Sequence, residues 1–516
     1  MGGFTRQTRE RWAKGEERLG RQWPVWIFGL ILYAGVGFTL LTRAHIPSVL
    51  HLVVFIMAAA VLSVTALRIE WGVLALALIL PFSRPGITIG PARVFQMSGF
   101  NFALAGVVMA YVLRYLADPQ FARKGPLIRR TRIDWGLALF TFLVVWSTLS
   151  SLNLGHTIMF RMRSALFLKE LIMYFMWFYL IVTMVRTPRD LRQFAIIFAI
   201  AGLMASAYGM FTRLTGGAAT ITAGTMEEDL AAGAGGRMQG GWLGLDHPNM
   251  FAALLLMTVP IWFFAIIHIK QGIRRLLAEV AVINGFLGLL FTYSRSAWIG
   301  SFVGMGLVGL FDRKSLVRVV LFGVIFAIIA QTVLLFTINM NLVDVVISRF
   351  QQLETSTFSA RPYIYKSAFS VIASHPWLGV GLGAFSAHAP PTPMGWVPLH
   401  SHNVYLSYAA EAGIPAALLF GLITLFLIVL SLRNVRRVAR LPGYGFVAMG
   451  SCGALIAVTG QTMAVQIFNH RTLGFGLYAL MAIVISIDRM IREGQFDDPD
   501  EDMTEQQRRA SPWITE

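Results

Sequence analysis

The chain is nearly without cysteine and poor in charge, and each shortage narrows what it can be. Cys452 is the one cysteine in 516 residues, and it lies inside an apolar run. An intrachain disulfide framework and a cysteine-based metal site are both excluded. Charged residues make up 13% of the chain, against about 25% in soluble domains. Acids are the scarcer sign: 26 Asp and Glu against 43 Lys and Arg, for a net charge of +17. Such a sum fits a nucleic-acid partner, but in so apolar a chain the distribution of charge matters more than its total. A cleavable signal peptide is not evident either. The first 23 residues are polar and basic, and the first apolar run lacks a small-residue cleavage site.

What the chain has in excess is apolar length. The apolar share is 56% without counting glycine. Runs of about 20 such residues each suffice to cross a roughly 30 Å hydrocarbon core. Fourteen candidate spans are readable, at 25–42, 46–67, 71–87, 99–117, 134–152, 165–185, 191–211, 248–268, 276–293, 296–311, 316–337, 403–431, 444–466 and 472–488. The third is short and interrupted by proline. The prediction is therefore an all-α polytopic membrane protein with about 14 (12–14) transmembrane helices.

Basic residues test that count. With the N-terminus in the cytoplasm and strict alternation, 30 of the 43 Lys and Arg fall on the cytoplasmic side, 12 on the other, and Lys169 within a span. This is the positive-inside pattern, and a wrong count would scramble it downstream. The predicted organisation is a cytoplasmic tail (1–24), an N-terminal bundle (25–211), a periplasmic loop (212–247), middle helices (248–337), a long periplasmic loop (338–402), C-terminal helices (403–488) and a cytoplasmic tail (489–516). The last tail is acidic from Asp497 onward. A loop as long as 338–402 is usually functional. Within it Arg361 to Ser374 reads as a helix lying at the membrane surface, with Tyr363, Ala368 and Val371 on one face and Pro362 at its first position.

Arginine on the outer side needs a reason, because the positive-inside rule removes it from there. Arg295 sits in a very short turn, Tyr293-Ser294-Arg295-Ser296. It either snorkels to headgroups or docks a phosphate through its two-pronged guanidinium, and the residues alone do not choose. Arg361 beside a helix N-terminus could meet an anion, although an ordinary solvated arginine is the simpler reading. Arg161, Arg163, Arg213 and Arg237 are weaker cases of the same kind. His400-Ser401-His402-Asn403 ends the long loop, where a histidine can act as a base or simply line the interface. Asp246-His247-Pro248-Asn249 reads as a helix start with Asp246 or Asn249 near the cap. The glycines of Leu378-Gly379-Val380-Gly381-Leu382-Gly383 follow no strand, so a tight turn after Pro376 explains them better than nucleotide binding. Glu227, Glu228 and Asp229 are adjacent and point apart, which suits a solvated loop better than a cation site. Lys169 and Glu170 are placed to pair or to snorkel.

From about Arg237 to Ala416 the sequence resembles the O-antigen ligase and polymerase superfamily of bacterial membrane glycosyltransferases. Asp246-His247-Pro248-Asn249-Met250-Phe251-Ala252 is similar to the family's entry into a middle span. Ser294-Arg295-Ser296-Ala297-Trp298 is similar to its Ser-Arg turn. The long loop adds Arg361, His375-Pro376-Trp377-Leu378-Gly379-Val380-Gly381 and His402-Asn403. After Asn403 come nine residues and then Gly413, as in the ligases; Ala416 departs from their pattern of Gly, Thr or Tyr.

The resemblance implies a GT-C-like fold in a bacterial inner membrane, with a periplasmic active site and no cofactor or metal. It implies a glycan donor on undecaprenyl pyrophosphate and, for a ligase, a lipid A-core sugar hydroxyl as acceptor. Arg295 and Arg361 would hold the pyrophosphate, and His402 would orient or deprotonate the hydroxyl. Arg163, Arg237, His247, Asn249 and Asn403 would contact substrate. A polymerase or a protein O-oligosaccharyltransferase uses the same donor. A lipid or polysaccharide transporter is disfavoured, since it wants ionisable groups at mid-membrane and paired broken helices.

Overall fold

The structure is a computed structural model. It describes residues 49–83, 86–89, 95–151, 158–214, 238, 247–269, 272–311, 313–338, 341–351, 357–392, 397–398, 400–441, 443–465 and 470–496. The expected span at 25–42, the N-terminal tail and residues 497–516 lie outside them, as do Arg237, Asp246 and the acids at 227–229; the expected tail from 489 begins inside the last helix, which runs on to Arg492.

Two apolar helices come first, α1 (Val49–Leu67) and α2 (Ile69–Ile79), the latter ending in a single 3-10 turn at Leu80–Phe82. A short antiparallel hairpin follows, β1 (Gly86–Ile89) against β2 (Phe95–Ser98), with Gly86 opposite Ser98. Apart from this hairpin the described elements are helical, as expected, and the expected span at 71–87 is cut short. Pro81 takes away a backbone donor, and the β-branched run Ile87-Thr88-Ile89 suits a strand. Next come α3 (Gly99–Ala117), α4 (Pro119–Ala122), α5 (Asp134–Ser150), α6 (Ile158–Met184) and α7 (Pro188–Leu214). The middle group is α8 (Pro248–His268), α9 (Ile273–Phe291), α10 (Arg295–Gly309) and α11 (Arg313–Ile338). The long loop holds α12 (Leu342–Gln351), α13 (Thr357–Ser374) and α14 (Phe385–His388). The chain ends with α15 (Val404–Ala412), α16 (Ile414–Val438), α17 (Gly445–Thr462) and α18 (Arg471–Arg492).

Eight of these, α3, α6, α7, α8, α11, α16, α17 and α18, contain segments long and apolar enough to cross a membrane. Three shorter apolar helices lie at Ile56–Leu67, Ile69–Phe82 and Asp134–Ser150. Helix starts follow their sequence signals. Ser98 Oγ accepts the Asn101 N–H at 3.1 Å ahead of α3, and Pro188 and Pro248 stand first in their helices.

The centre of the bundle is α8, α17 and α18, whose side chains are almost all buried. The flank is α11 and α16, which expose Val324, Ile328, Phe336, Leu418 and Leu422. Apolar side chains turned outward on a long helix are what lipid solvates. Small residues set the closest approach. A Cβ added at Gly300 would lie 2.8 Å from Ala457 O, and one at Gly304 would lie 2.3 Å from Gly453 O. Helices α10 and α17 therefore touch backbone to backbone and run antiparallel, which puts Arg295 level with the C-terminal end of α17.

Two sequence expectations about the site's frame are corrected. The expected span 403–431 breaks at Gly413 (φ +89°), because a Cβ there would lie 2.1 Å from Trp377 O. The short helix α15 is thus separate from the span that follows. Helix α13 begins at Thr357, four residues before Arg361. Its buried stripe is Ile364, Ala368 and Val371, one face at i, i+4, i+7, while Tyr363 is exposed.

Candidate active site

The glycine-rich segment of the long loop wraps the end of α15. Val380 N–H donates to Ala410 O at 3.0 Å, Gly381 N–H to Glu411 O at 2.8 Å, and Ile414 N–H to Pro376 O at 2.8 Å. The last turn of a helix leaves carbonyls without helical partners, and this loop supplies donors to them. Gly379 (φ +63°) sits so close that a Cβ would lie 2.4 Å from the Glu411 carbonyl carbon. A small apolar cluster of its own, including Ala368, Val371, Val380, Phe385 and Ala410, seats α13 and the loop on α15.

That frame fixes His400-Ser401-His402-Asn403. Asn403 caps α15: its Oδ1 accepts the Tyr405 N–H at 2.9 Å and the Leu406 N–H at 3.2 Å. The buried Ser401 hydroxyl bonds Asn403 O at 2.7 Å and Ser407 Oγ at 2.6 Å. Between them His402 is held at φ +53°. A non-glycine residue in the left-handed region costs roughly 1–2 kcal/mol, and it persists where neighbours overdetermine it. The kink brings the His400 and His402 rings to 4.2 Å between centroids, tilted by 54°. A helical path would have turned them to opposite faces. Neither segment nor rings behave that way, because α15 starts only at Val404.

The electrostatics around these rings have one sign. Burial first, then His400, His247 and Arg361, hold the His402 imidazole down to about 3. Burial and Arg163 lower His400. Both rings are neutral at pH 7 and present a lone pair. Glu411, in α15 ahead of the following span, also feels the Arg163 charge. Burial pushes its carboxyl up to about 7, against the Gly383 N–H, the Arg163 charge and the Phe385 N–H, which all favour the carboxylate.

The arginines converge on the end of α17. Arg361 Nη2 donates to Ala464 O at 3.4 Å. Because α13 starts early, Arg361 lies in its second turn, not beside free N–H groups at the helix start. Arg295 opens α10 at the same level. Its turn is pinned by Trp298 Nε1, which donates to Leu289 O at 2.9 Å, and by Met238 N–H on Phe291 O at 2.8 Å. Tyr293, just before it, is the other described non-glycine residue with positive φ, at +50°. Arg213 stacks over the Phe291 ring at 4.4 Å and supports the same turn.

His247 is itself the cap of α8, accepting the Asn249 N–H on Nδ1 at 3.2 Å. This replaces the expected cap by Asp246 or Asn249. Asn249 O accepts from Gln461 Nε2 at 2.9 Å, tying this turn to the end of α17. The structure thus gathers His402, His400, His247, Arg361 and Arg163, and sets Arg295 at the same end of the bundle. Arg161 is exposed on α6.

Residues 280–421 match a family model described as O-antigen ligase. This segment is similar to the O-antigen ligase superfamily. No curated protein matches the chain. The matched segment carries Arg295, Arg361, His400, His402, Glu411 and Gly413, while Arg163 and His247 lie outside it. Sequence reading passed over Glu411 altogether. Its signal was present: an acid inside an apolar run is rare enough to ask for a role.

Proposed function

We propose that the protein is an O-antigen ligase of the bacterial inner membrane, with both termini cytoplasmic and its site facing the periplasm. It transfers a glycan from undecaprenyl pyrophosphate to a sugar hydroxyl of the lipid A core. The observation that carries this reading is the neutral His402 ring set among Arg361, His247 and His400, within a segment that matches the ligase family.

In the step, the acceptor oxygen forms a bond to the anomeric carbon of the donor sugar. The bond from that carbon to the pyrophosphate oxygen breaks, and the acceptor proton passes to His402. Undecaprenyl pyrophosphate leaves with its charge met by Arg295 and Arg361. A group held down to about 3 is a weak base, but an anion bound beside it favours the protonated ring. Donor binding therefore makes His402 basic, and the donor binds first. Arginines take the part that a metal plays in other phosphate chemistry. Arg163, Arg237, His247, Asn249 and Asn403 complete the substrate contacts; for Asn403 the contact falls to its NH2 group, since the carboxamide oxygen caps α15.

The test is reconstitution in proteoliposomes with lipid-linked glycan, lipid A-core and EDTA. Transfer to the core with EDTA present is expected. Glycan chains growing on the carrier lipid instead would make the protein a polymerase; Ala416 is the position where the sequence departs from the ligase pattern. Loss in EDTA with rescue by magnesium would overturn the metal-free step.

A further inference from the structure

The end of the bundle opposite His402 holds a cavity that the transfer reaction does not use. Helices α10 and α16 both start at the His402 end and finish here, at Gly309 and Val438. The cavity has a volume of about 660 Å³, and four arginines line it: Arg318, Arg436, Arg437 and Arg440. None of its described lining residues is acidic. The buried hydroxyl residue Ser315 adds a polar wall. Arg436 and Arg440 lie one turn apart, and the Arg436 guanidinium stands 5.2 Å from the Phe311 ring.

Helix C-termini repel anions, and both α8 and α16 end at this cavity. The His268 ring nitrogens lie 2.9 Å from Phe264 O and 3.0 Å from Ala439 O, and a neutral ring donates to one of these two helix-end carbonyls. A second cavity of about 390 Å³ adjoins the first and shares Ile267 and Arg318 with it. Its walls are otherwise apolar apart from Arg275, with Phe263, Ile266 and Phe322 along the groove. Arg318 thus stands where a basic chamber meets an apolar groove at the membrane-facing flank.

We propose that this pair of cavities binds an anionic phospholipid, its phosphate among Arg318, Arg436 and Arg440 and an acyl chain along Phe263 and Phe322. A soluble phosphate would need only the chamber; the groove is what points to a lipid. The end in question carries the basic excess that the positive-inside rule assigns to the cytoplasm, where the leaflet is anionic.

The test uses the full chain in detergent, with bound lipid counted by native mass spectrometry during titration with cardiolipin, phosphatidylglycerol or phosphatidylcholine. The site variant is Arg318→Gln/Arg436→Gln/Arg440→Gln. The control, Arg123→Gln/Lys124→Gln/Arg130→Gln, removes as much charge from another segment on the same side. Each basic group near an anionic headgroup contributes about fivefold, so the site variant should lose about a hundredfold in affinity for the anionic lipids. Phosphatidylcholine binding and the control's affinity should be unchanged. Phe322→Ala should weaken the lipids but not glycerol phosphate. Equal losses in site and control variants would reduce the cavity to unspecific basic surface. Displacement of lipid by glycerol phosphate at matching concentrations would reassign the chamber to a soluble ligand. If the triple variant does not fold, Arg318→Lys/Arg436→Lys/Arg440→Lys keeps the charge and loses the paired hydrogen bonds; unchanged affinity there, with no loss in Phe322→Ala, would likewise overturn the site.

Discussion

Two charged clusters lie toward the same end of the bundle, and they are built in opposite ways. In the first, a carboxylate is at the centre. Glu170 takes Arg471 Nε at 2.8 Å, Lys169 Nζ at 3.0 Å and the Asn101 amide at 3.2 Å on both oxygens. The expected Lys169–Glu170 pair is there, as part of a larger knot that ties α3, α6 and α18 together. In the second, His402 is at the centre, and His400, His247 and Arg361 all oppose its protonation. A cluster that holds its own counter-ion stabilises the fold. One made of groups of a single sign is stabilised only when an anion arrives. The first should therefore be read out in stability and the second in activity.

The largest effect expected is on catalysis. His402→Ala should slow transfer by about 10²–10⁴-fold, the usual contribution of a positioned base, while the thermal midpoint holds. Initial rates in proteoliposomes, with donor affinity measured separately, check this. A loss explained wholly by weaker donor binding would make His402 a positioning group. Because its ring stands 4.2 Å from His402, His400→Ala should also slow transfer, by a smaller factor.

Glu170→Ala sharpens the comparison from the other side. It leaves Arg471, 12% exposed at its side chain, without its central carboxylate. Breaking a buried pair by removing one partner costs about 3–5 kcal/mol. The protein should denature at lower temperature in detergent, and the fraction still folded should turn over at the wild-type rate. A folded, stable variant with slow turnover would move Glu170 into the site.

The unequal legibility of these regions has physical causes. Helix positions at 99–117 and 248–268 could be read to the residue, because hydropathy, a serine cap and Pro248 agree. The break at Gly413 could not: residues 403–431 are one continuous apolar run, and only contact with Trp377 O forces a glycine there. Motifs put Arg295, Arg361 and His402 on one short roll of candidates. Their frame was hidden, since it rests on contacts distant in sequence, such as Arg361 with Ala464 and Gln461 with Asn249. The meeting of His400 and His402 depends on one residue's positive φ, which no periodicity encodes.

Arg295→Lys is a finer probe of the second cluster. Lysine keeps the charge and can still snorkel, but it lacks the planar fork. Losing one charge-assisted bond to pyrophosphate should cost about 1.5–3 kcal/mol in kcat/KM. Full activity in the lysine variant would leave Arg295 as a headgroup anchor, and the pyrophosphate to Arg361.

The smallest effect is on pH, and it separates two groups that mask each other. The folded state holds His402 at about 3, below the ordinary 6.5. Above pH 6.5 the ring is neutral whether folded or unfolded, so it contributes nothing. Below that, the unfolded chain binds the proton and the folded chain does not, and stability falls toward pH 3. His400, lowered in the same direction, adds to this arm. Glu411 runs the other way. Its carboxyl, raised from 4.5 to about 7, keeps its proton in the fold while the unfolded chain gives it up, so stability falls as pH rises through that window. Between pH 4.5 and 6.5 the slopes oppose, each at most about 1.4 kcal/mol per pH unit. Glu411→Gln should therefore steepen the loss of thermal midpoint from pH 6.5 down to 5. His402→Gln should flatten that loss and expose the decline from pH 5 to 7. Parallel pH profiles for wild type and both variants would show that neither group titrates differently on folding, and the single-signed character of the His402 cluster would go with it.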